Sequence, residues 1–156
     1  MSTVNLSNAD DVSSPLSAGL RFILKFAGYY NIVAGLAMVI FYHEGFRALG
    51  VPKPEFVLPI QLVGVLVAIF GVGYLVAERN PVENRTIVLL GFLSKLLGPL
   101  LAIMHIASGS LPVMMLAVLF FADGIYLIPF WIIYRQLSRH AATNRPLATS
   151  IQSSGS

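Results

Sequence analysis

The sequence predicts an all-α integral membrane protein, built as an antiparallel bundle of four transmembrane helices. Its 156 residues are 56% hydrophobic and 11% charged. The charged share is far below the about 25% that is typical of soluble domains. The mean hydropathy is +0.79, and four apolar segments account for it. Each is near the ~20 residues that cross a hydrocarbon core of ~30 Å, and only short polar or proline-containing connections separate them.

The chain is predicted to form one domain with a polar tail at each end. The four predicted spans are residues 22–42, 57–77, 86–106 and 112–134. The bundle then occupies residues 20–139. Residues 1–19 lack the basic start and apolar core of a signal peptide, and we expect a disordered N-terminal tail. The Ser-, Thr- and Asn-rich residues 140–156 predict a disordered C-terminal tail.

The basic residues outside the spans predict how the bundle is oriented. On the side with both termini lie Arg21, Arg79, Arg85, Arg135, Arg139 and Arg145, and on the other side lie Arg47 and Lys53. This imbalance predicts cytoplasmic termini, because basic residues concentrate on the cytoplasmic side. The expected location is the inner membrane, with multiple spans in the lipid bilayer. The chain has no run of Lys or Arg that would indicate a nucleic-acid partner.

Small residues, together with a few polar ones, recur at intervals of three or four on one face of each of the first three spans. The predicted helix-packing residues are Gly64, Ala68, Gly71, Gly91 and Gly98. Small side chains let helix backbones approach closely in lipid, where hydrophobicity does not drive association. These faces are therefore expected to point into the bundle, and the short loops predict antiparallel neighbours.

Prolines predict where helices begin, end and bend. Asn80 and Pro81 are expected to end the second helix, and Pro112 suits the first helical position of the fourth. Pro99 and Pro129 lie inside the third and fourth spans. A proline lacks the backbone donor and clashes with the preceding turn, so both positions are predicted kinks.

Three polar residues lie at the middle of three separate spans: Asn31, Lys95 and Asp123. We expect them to meet at one depth, and we expect Lys95 and Asp123 to form an ion pair because unpaired charges are costly there. Asn31 is expected to add hydrogen bonds. Three further residues complete the predicted cluster through their nearby sequence positions, and they are Tyr30, Ser94 and Tyr126.

Several functions are compatible with such a cluster. The leading hypothesis is a membrane protein that binds or passes a small polar solute or a proton there. Because four helices enclose little volume, a pathway would form more easily in a homo-oligomer. The alternative is a structural or accessory subunit of a larger membrane complex, in which the pair fixes helix register. A lysine beside a carboxylate also permits enzymatic chemistry, but no second catalytic group is evident, so no catalytic residue is predicted.

The chain contains no cysteine, which excludes disulfides, thiolate metal sites and iron–sulfur clusters. His43 ends the first span and His105 ends the third on the same side. Two histidines on facing helices could ligate haem or a metal. They lie at the interface without a spacing motif, so a b-type cytochrome is the less favoured alternative and no cofactor is predicted.

Residues 71–81, 87–91, 95–99, 122–123 and 128–130 follow the pattern GxGY…ArnP…ivLvG…GKxLGP…ND…iPF. The pattern resembles that of a family of small bacterial four-span membrane proteins. The chain departs from it at Ser94, where Gly is expected, and at Ala122, where Asn is expected. The resemblance implies that Lys95 and Asp123 belong to the family pattern, and it supplies no activity.

Some members of this family carry an alkyl hydroperoxide reductase label. Peroxide reduction of that type needs a thiolate. Since this chain has no cysteine, we reject that activity for it. A looser similarity to DoxX-like four-helix membrane proteins concerns the fold alone.

Overall fold

The computed structural model describes residues 15–50 and 52–153, with side chains described as far as residue 143. This part of the chain contains helices, turns and short loops, and no strand. The helices are α1 (Ala18–Ile40), α2 (Tyr42–Ala48), α3 (Leu58–Arg79), α4 (Arg85–Ala107), α5 (Met115–Leu119) and α6 (Ile125–Ser153). A π-helical segment, Phe120–Gly124, joins α5 to α6. The predicted all-α bundle is confirmed.

Four helices are long and apolar enough to cross a membrane. They are Ala18–Ile40, Leu58–Arg79, Arg85–Ala107 and the composite helix Met115–Thr143. The chain is therefore a multi-pass membrane protein. The bundle end at which α1 begins is here called the terminal end, and the loop between α3 and α4 lies at this end as well.

The bundle begins earlier than the predicted boundary at residue 20. The Ser17 side chain accepts a hydrogen bond from the Leu20 N–H at 3.4 Å and caps α1. Leu16 is only 1% exposed and belongs to the hydrophobic core. An N-cap and a buried leucine both stabilise this end. Residues 15–19 thus belong to the bundle, and residues 1–14 of the predicted tail lie outside the described residues.

At the other end of the chain, α6 continues to Ser153, through most of the segment for which a disordered tail was predicted. Ala141 and Ala142 favour helix, and the helix continues through Pro146. Thr143 donates its hydroxyl to the Arg139 carbonyl at 3.1 Å within this extension. Residues 154–156 lie outside the described residues.

The closest helix pair is α1 with α3, which cross at glycines. A Cβ on Gly71 would lie 2.6 Å from the Gly28 carbonyl oxygen, and one on Gly64 would lie 2.8 Å from that of Gly35. A Cβ on Gly35 would also meet the Ala68 backbone nitrogen at 2.6 Å. Only glycine permits this approach, as expected for helices that associate in lipid.

Gly91 and Gly98 of α4, both predicted to pack, have opposite surroundings. A Cβ on Gly91 would collide with the Tyr74 ring and hydroxyl, whereas a Cβ on Gly98 would meet nothing within 4 Å. Gly98 is exposed. The packing prediction for Gly98 is wrong for the described bundle, because no side chain of a neighbouring helix covers that face.

The hydrophobic core lies in the half of the bundle next to the terminal end. Its members are Leu16, Leu24, Ala27, Tyr74, Ala77, Val88, Tyr126, Phe130, Ile133 and Leu137. On α4, the buried residues end at Lys95, and neither α5 nor the π segment contributes one. In the opposite half, α1 and α3 stay packed at Gly35 and Gly64, but α4, α5 and the π segment have no buried residue there. We call this half the open half.

The prolines do not interrupt the helices in which they lie. α4 continues through Pro99, and α6 continues through Pro129. The kinks at Pro99 and Pro129 remain predictions. A separate departure from α-helical geometry lies at the π segment, where the Ile125 N–H donates to the Phe120 carbonyl. Neighbouring helices and local adjustments can compensate for a proline's missing donor in a membrane helix.

The helix ends near prolines were predicted in part. The Asn80 N–H donates to the Val76 carbonyl at 3.1 Å and closes α3, directly before Pro81. The fourth span begins three residues after Pro112, because the Pro112 carbonyl accepts from the Met115 N–H in a turn at 3.0 Å.

Candidate functional site

The centre of the bundle holds an ion pair. Lys95 Nζ lies 2.8 Å from Asp123 Oδ1 and 3.5 Å from the Ala122 carbonyl oxygen. The ammonium also lies 5.0 Å from the centroid of the Tyr126 ring. A cation over an aromatic face is stabilised by the ring quadrupole. The predicted ion pair is thus formed, and the lysine has two additional partners.

The two charges differ in burial. The Lys95 side chain is 4% exposed, whereas that of Asp123 is 28% exposed. Lys95 follows Val88 and Gly91 on the buried stripe of α4, at the place where that stripe ends. The pair therefore lies at the boundary between the packed half and the open half, with its carboxylate on the more open side.

The π segment gives Asp123 its position. A π turn contains one more residue than an α turn, and it changes the direction of the side chains before and after it. Here the turn brings the Asp123 carboxylate and the preceding carbonyl to the same ammonium. Gly124 favours the geometry of this turn, because a Cβ there would meet Phe120 Cδ2 at 3.2 Å. Sequence analysis missed this segment, although a glycine directly after the aspartate was a signal.

The glycine contacts show which side chains share one depth. A Cβ on Gly71 of α3 would meet the Ile32 backbone nitrogen at 2.7 Å, so Asn31 of α1 lies at that level. Tyr74, one turn along α3, lies against Gly91 of α4. Because α3 and α4 are antiparallel, the turn of α4 that follows Gly91 is level with Gly71. That turn carries the lysine of the ion pair.

Asn31 is buried, with 5% of its surface exposed, but it differs from the prediction in its contacts. Its side chain makes no hydrogen bond within the described part of the chain. The reason is geometric: α1 packs most closely on α3, while the ion pair lies on α4 and the π segment. The short amide therefore does not reach the pair directly.

Tyr126, Tyr30 and Ser94 were predicted to complete the cluster. Tyr126 is buried beneath the ammonium, and its ring centroid lies 6.0 Å from that of the more exposed Tyr30. Ser94 is exposed. Consecutive residues of a helix point about 100° apart, so Ser94 leaves the face that carries Lys95 and lies outside the site.

Tyr74 is a site residue that sequence analysis missed. It is 1% exposed, and its ring packs edge-on against Phe130 with centroids 4.9 Å apart. Its hydroxyl lies over Gly91, one turn from Lys95, and within electrostatic range of the Asp123 carboxylate. Its position three residues after Gly71, on the inward face of α3, was the available signal.

The two histidines lie away from this site. His43 is exposed and contacts the Tyr42 ring edge-on, with centroids 6.4 Å apart. His105 is exposed at the end of α4, where its carbonyl accepts from the Ser108 hydroxyl at 2.9 Å. Among the described residues, no three His, Asp or Glu side chains are grouped as metal ligands would be.

A second ion pair, which was not predicted, closes the terminal end. Arg21 Nη2 of α1 lies 2.8 Å from Glu78 Oε1 of α3, and Arg21 Nε donates to the same oxygen at 3.1 Å. The arginine is 43% exposed. This pair reinforces the α1–α3 contact at the membrane boundary, far from the central pair.

Comparisons with protein-family models, with curated proteins and with solved structures find no match to this chain. The chemistry of the site therefore rests on its geometry. A fixed ammonium and a partly open carboxylate can exchange a proton or form hydrogen bonds to a small polar molecule.

Proposed function

We propose that this protein binds or passes a small polar solute or a proton at the Lys95–Asp123 pair. It would do so as a multi-pass protein of the inner membrane with both termini in the cytoplasm. The observation that supports this most is the unequal burial of the two charges, 4% exposed for the lysine and 28% for the aspartate. Ionisable groups inside membrane bundles commonly mark such sites.

A purely structural pair would be enclosed on both sides, since a partly open carboxylate in hydrocarbon is costly. Asp123 instead borders the open half of the bundle, where a polar species would offset that cost. Lys95 has the properties of a fixed counter-charge, because the Ala122 carbonyl and the Tyr126 ring hold it independently of the carboxylate.

The test is permeation through liposomes that contain the purified full-length protein. Proton flux is followed with an internal pH dye, and glycerol and urea entry by light scattering. We expect at least one of these fluxes to exceed that of empty liposomes. Lys95→Met and Asp123→Asn should abolish it while both variants keep the wild-type helical circular dichroism.

Glu78→Gln is the matched control, because it neutralises a carboxylate that is also ion-paired but lies at the terminal end. It should keep the full flux. Fluxes equal to those of empty liposomes, or fluxes that survive both changes at the pair, would overturn the proposed function.

The alternative is an accessory subunit that packs against a larger membrane complex. The uncovered face of α4 at Gly98 favours it, since small residues mark helix faces that pack in lipid. Large apolar side chains are exposed in the same half. Examples are Leu100, Leu101, Ile103, Met104, Leu116, Phe120 and Phe121. Leu101→Ala with Phe121→Ala should then release a co-purifying partner and leave any flux unchanged. Membership of the small four-span family named above is likewise a proposal.

A further inference from the structure

Two buried polar side chains near the ion pair lack hydrogen-bond partners. The Asn31 amide and the Tyr74 hydroxyl make no hydrogen bond among the described residues. In the same part of the chain, every side-chain nitrogen or oxygen atom that is fully enclosed has a hydrogen-bond partner. The polar atoms of both side chains must therefore retain accessible surface, although the residues are only 5% and 1% exposed.

A narrow gap between the helices beside the ion pair would account for both accessible atoms. Asn31 of α1 would border it at the level of Gly71, and Tyr74 of α3 at the level of Gly91, one turn nearer the terminal end. Access this limited admits a species the size of water. A buried polar group without a partner is destabilising, and water typically removes that cost by making about three hydrogen bonds.

We propose that water in this gap connects Asn31 and Tyr74 to the Lys95–Asp123 pair, and that the site transfers protons. This inference rests on the proposed function and narrows its substrate from a polar solute to a proton. Asn31 positions the water, since an amide can donate and accept but does not titrate. Tyr74 can donate to the water or accept from it.

Proton uptake and proton release each break one O–H bond and form another. A hydronium ion in the gap gives its proton to an oxygen of the Asp123 carboxylate. The side chain becomes a carboxylic acid, and the hydronium ion becomes a water molecule. Release reverses the step: the O–H bond of the acid breaks, and the proton passes to water on the open side. Throughout, the Lys95 ammonium is held by the Ala122 carbonyl at 3.5 Å and lies over the Tyr126 ring at 5.0 Å.

Titratable side chains from the long helices surround the ion pair directly or through one neighbour. Lys95 comes from α4, Tyr74 from α3 and Tyr126 from α6, while Tyr30 of α1 lies against Tyr126. The Lys95 ammonium has no lone pair, whereas a carboxylate has oxygen lone pairs that can accept a proton. The proposal therefore assigns proton uptake and release to Asp123.

The test is proton flux in liposomes of phosphatidylcholine, driven by a potassium diffusion potential with valinomycin and measured with an internal pH dye. Tyr74→Phe removes the hydroxyl and keeps the ring, and Asn31→Leu removes the amide and keeps the branched shape of the side chain. Each should lower the proton flux roughly 100-fold, the scale of losing a positioned proton-transfer group. Tyr29→Phe is the matched control, because Tyr29 is 55% exposed on the outer face of α1, and it should conduct like wild type.

The outcomes separate this inference from the proposed function. Proton flux that depends on Asp123 but is unchanged in Tyr74→Phe and Asn31→Leu would overturn the water connection alone. Glycerol or urea flux that depends on the pair, without proton flux, would overturn proton transfer and keep the polar-solute function. If Asn31→Leu fails to fold, the proton flux of Tyr74→Phe tests the water connection. Infrared spectroscopy tests proton uptake directly: the wild type should show a carboxylic acid band that Asp123→Asn lacks.

Discussion

At the residue scale, glycine and alanine differ by one carbon, and their exchange has opposite consequences at two positions of this bundle. Gly71 lies against the backbone of α1, while Gly98 faces open space. The effect of this substitution on stability should therefore distinguish the closely packed α1–α3 pair from the uncovered face of α4.

We expect Gly71→Ala to lower the free energy of unfolding by about 1–3 kcal/mol, because the added Cβ would lie 2.6 Å from the Gly28 carbonyl oxygen. Gly98→Ala should leave stability unchanged or raise it by up to about 1 kcal/mol through helix propensity. Unfolding in mixed detergent micelles measures both. Equal losses in the two variants would contradict the α1–α3 packing described above.

The ion pair at the terminal end should contribute little. Because Arg21 is 43% exposed, we expect Arg21→Gln to cost at most about 1 kcal/mol, and less at high salt, where exposed charges are screened. Unfolding at low and high ionic strength gives this difference. A loss of several kcal/mol that is insensitive to salt would show that the pair is far less hydrated than its exposure indicates.

The central ion pair could be predicted from the sequence, because the depth of a residue follows from its distance to the ends of its span. The contacts of Asn31 and Tyr74 could not be predicted in this way. They depend on which helices pack closest, and that depends on the backbone contacts between glycines of α1 and α3. Ser94 illustrates the same limit, since proximity in sequence does not place two side chains on one face.

At the element scale, each predicted span corresponds to a helix, but the fourth combines three elements. Length and hydropathy predict the existence of a span well. They do not predict the π segment at Phe120–Gly124, because the same apolar residue types occur in α-helical and in π-helical turns. Only contacts with neighbouring helices, here those of the Lys95 ammonium, favour one geometry over the other.

Pro99 lies inside α4, one turn after Lys95. We expect Pro99→Ala to be at least as stable as wild type, because alanine restores a backbone N–H for the Lys95 carbonyl and removes the proline ring clash. Thermal unfolding in detergent checks this, and Leu97→Ala, on the exposed side of the same helix, is the control for loss of side-chain volume. A strongly destabilised Pro99→Ala would show that the bundle requires proline geometry there.

At the scale of the whole molecule, the bundle has a packed half and an open half, and the ion pair lies between them. Hydropathy predicts that four helices assemble, but not where their packing is tight. Packing depends on which side chains meet across helices, and the core residues of α6, such as Phe130 and Ile133, lie only toward the terminal end.

The absence of cysteine makes the orientation directly measurable. We expect Ser110→Cys, in the loop between α4 and α5, to react with a membrane-impermeant maleimide on intact cells. Glu83→Cys, in the loop between α3 and α4, should react only after permeabilisation, because the basic residues predict a cytoplasmic terminal end. The unmodified chain is the control, and the reverse pattern would contradict the proposed orientation.

The measurement that tests the central claim most directly is the free energy of unfolding of wild type, Lys95→Met, Asp123→Asn and the double variant in detergent and in lipid. If the pair is a functional site, each single change should cost less than about 2 kcal/mol, well below the ~3–5 kcal/mol of breaking a buried structural pair. The reason is that an asparagine still accepts from the ammonium, and a lone Asp123, which is 28% exposed, can take up a proton. Losses of ~3–5 kcal/mol in each single variant, largely recovered in the double variant, would show instead that the pair is a structural lock.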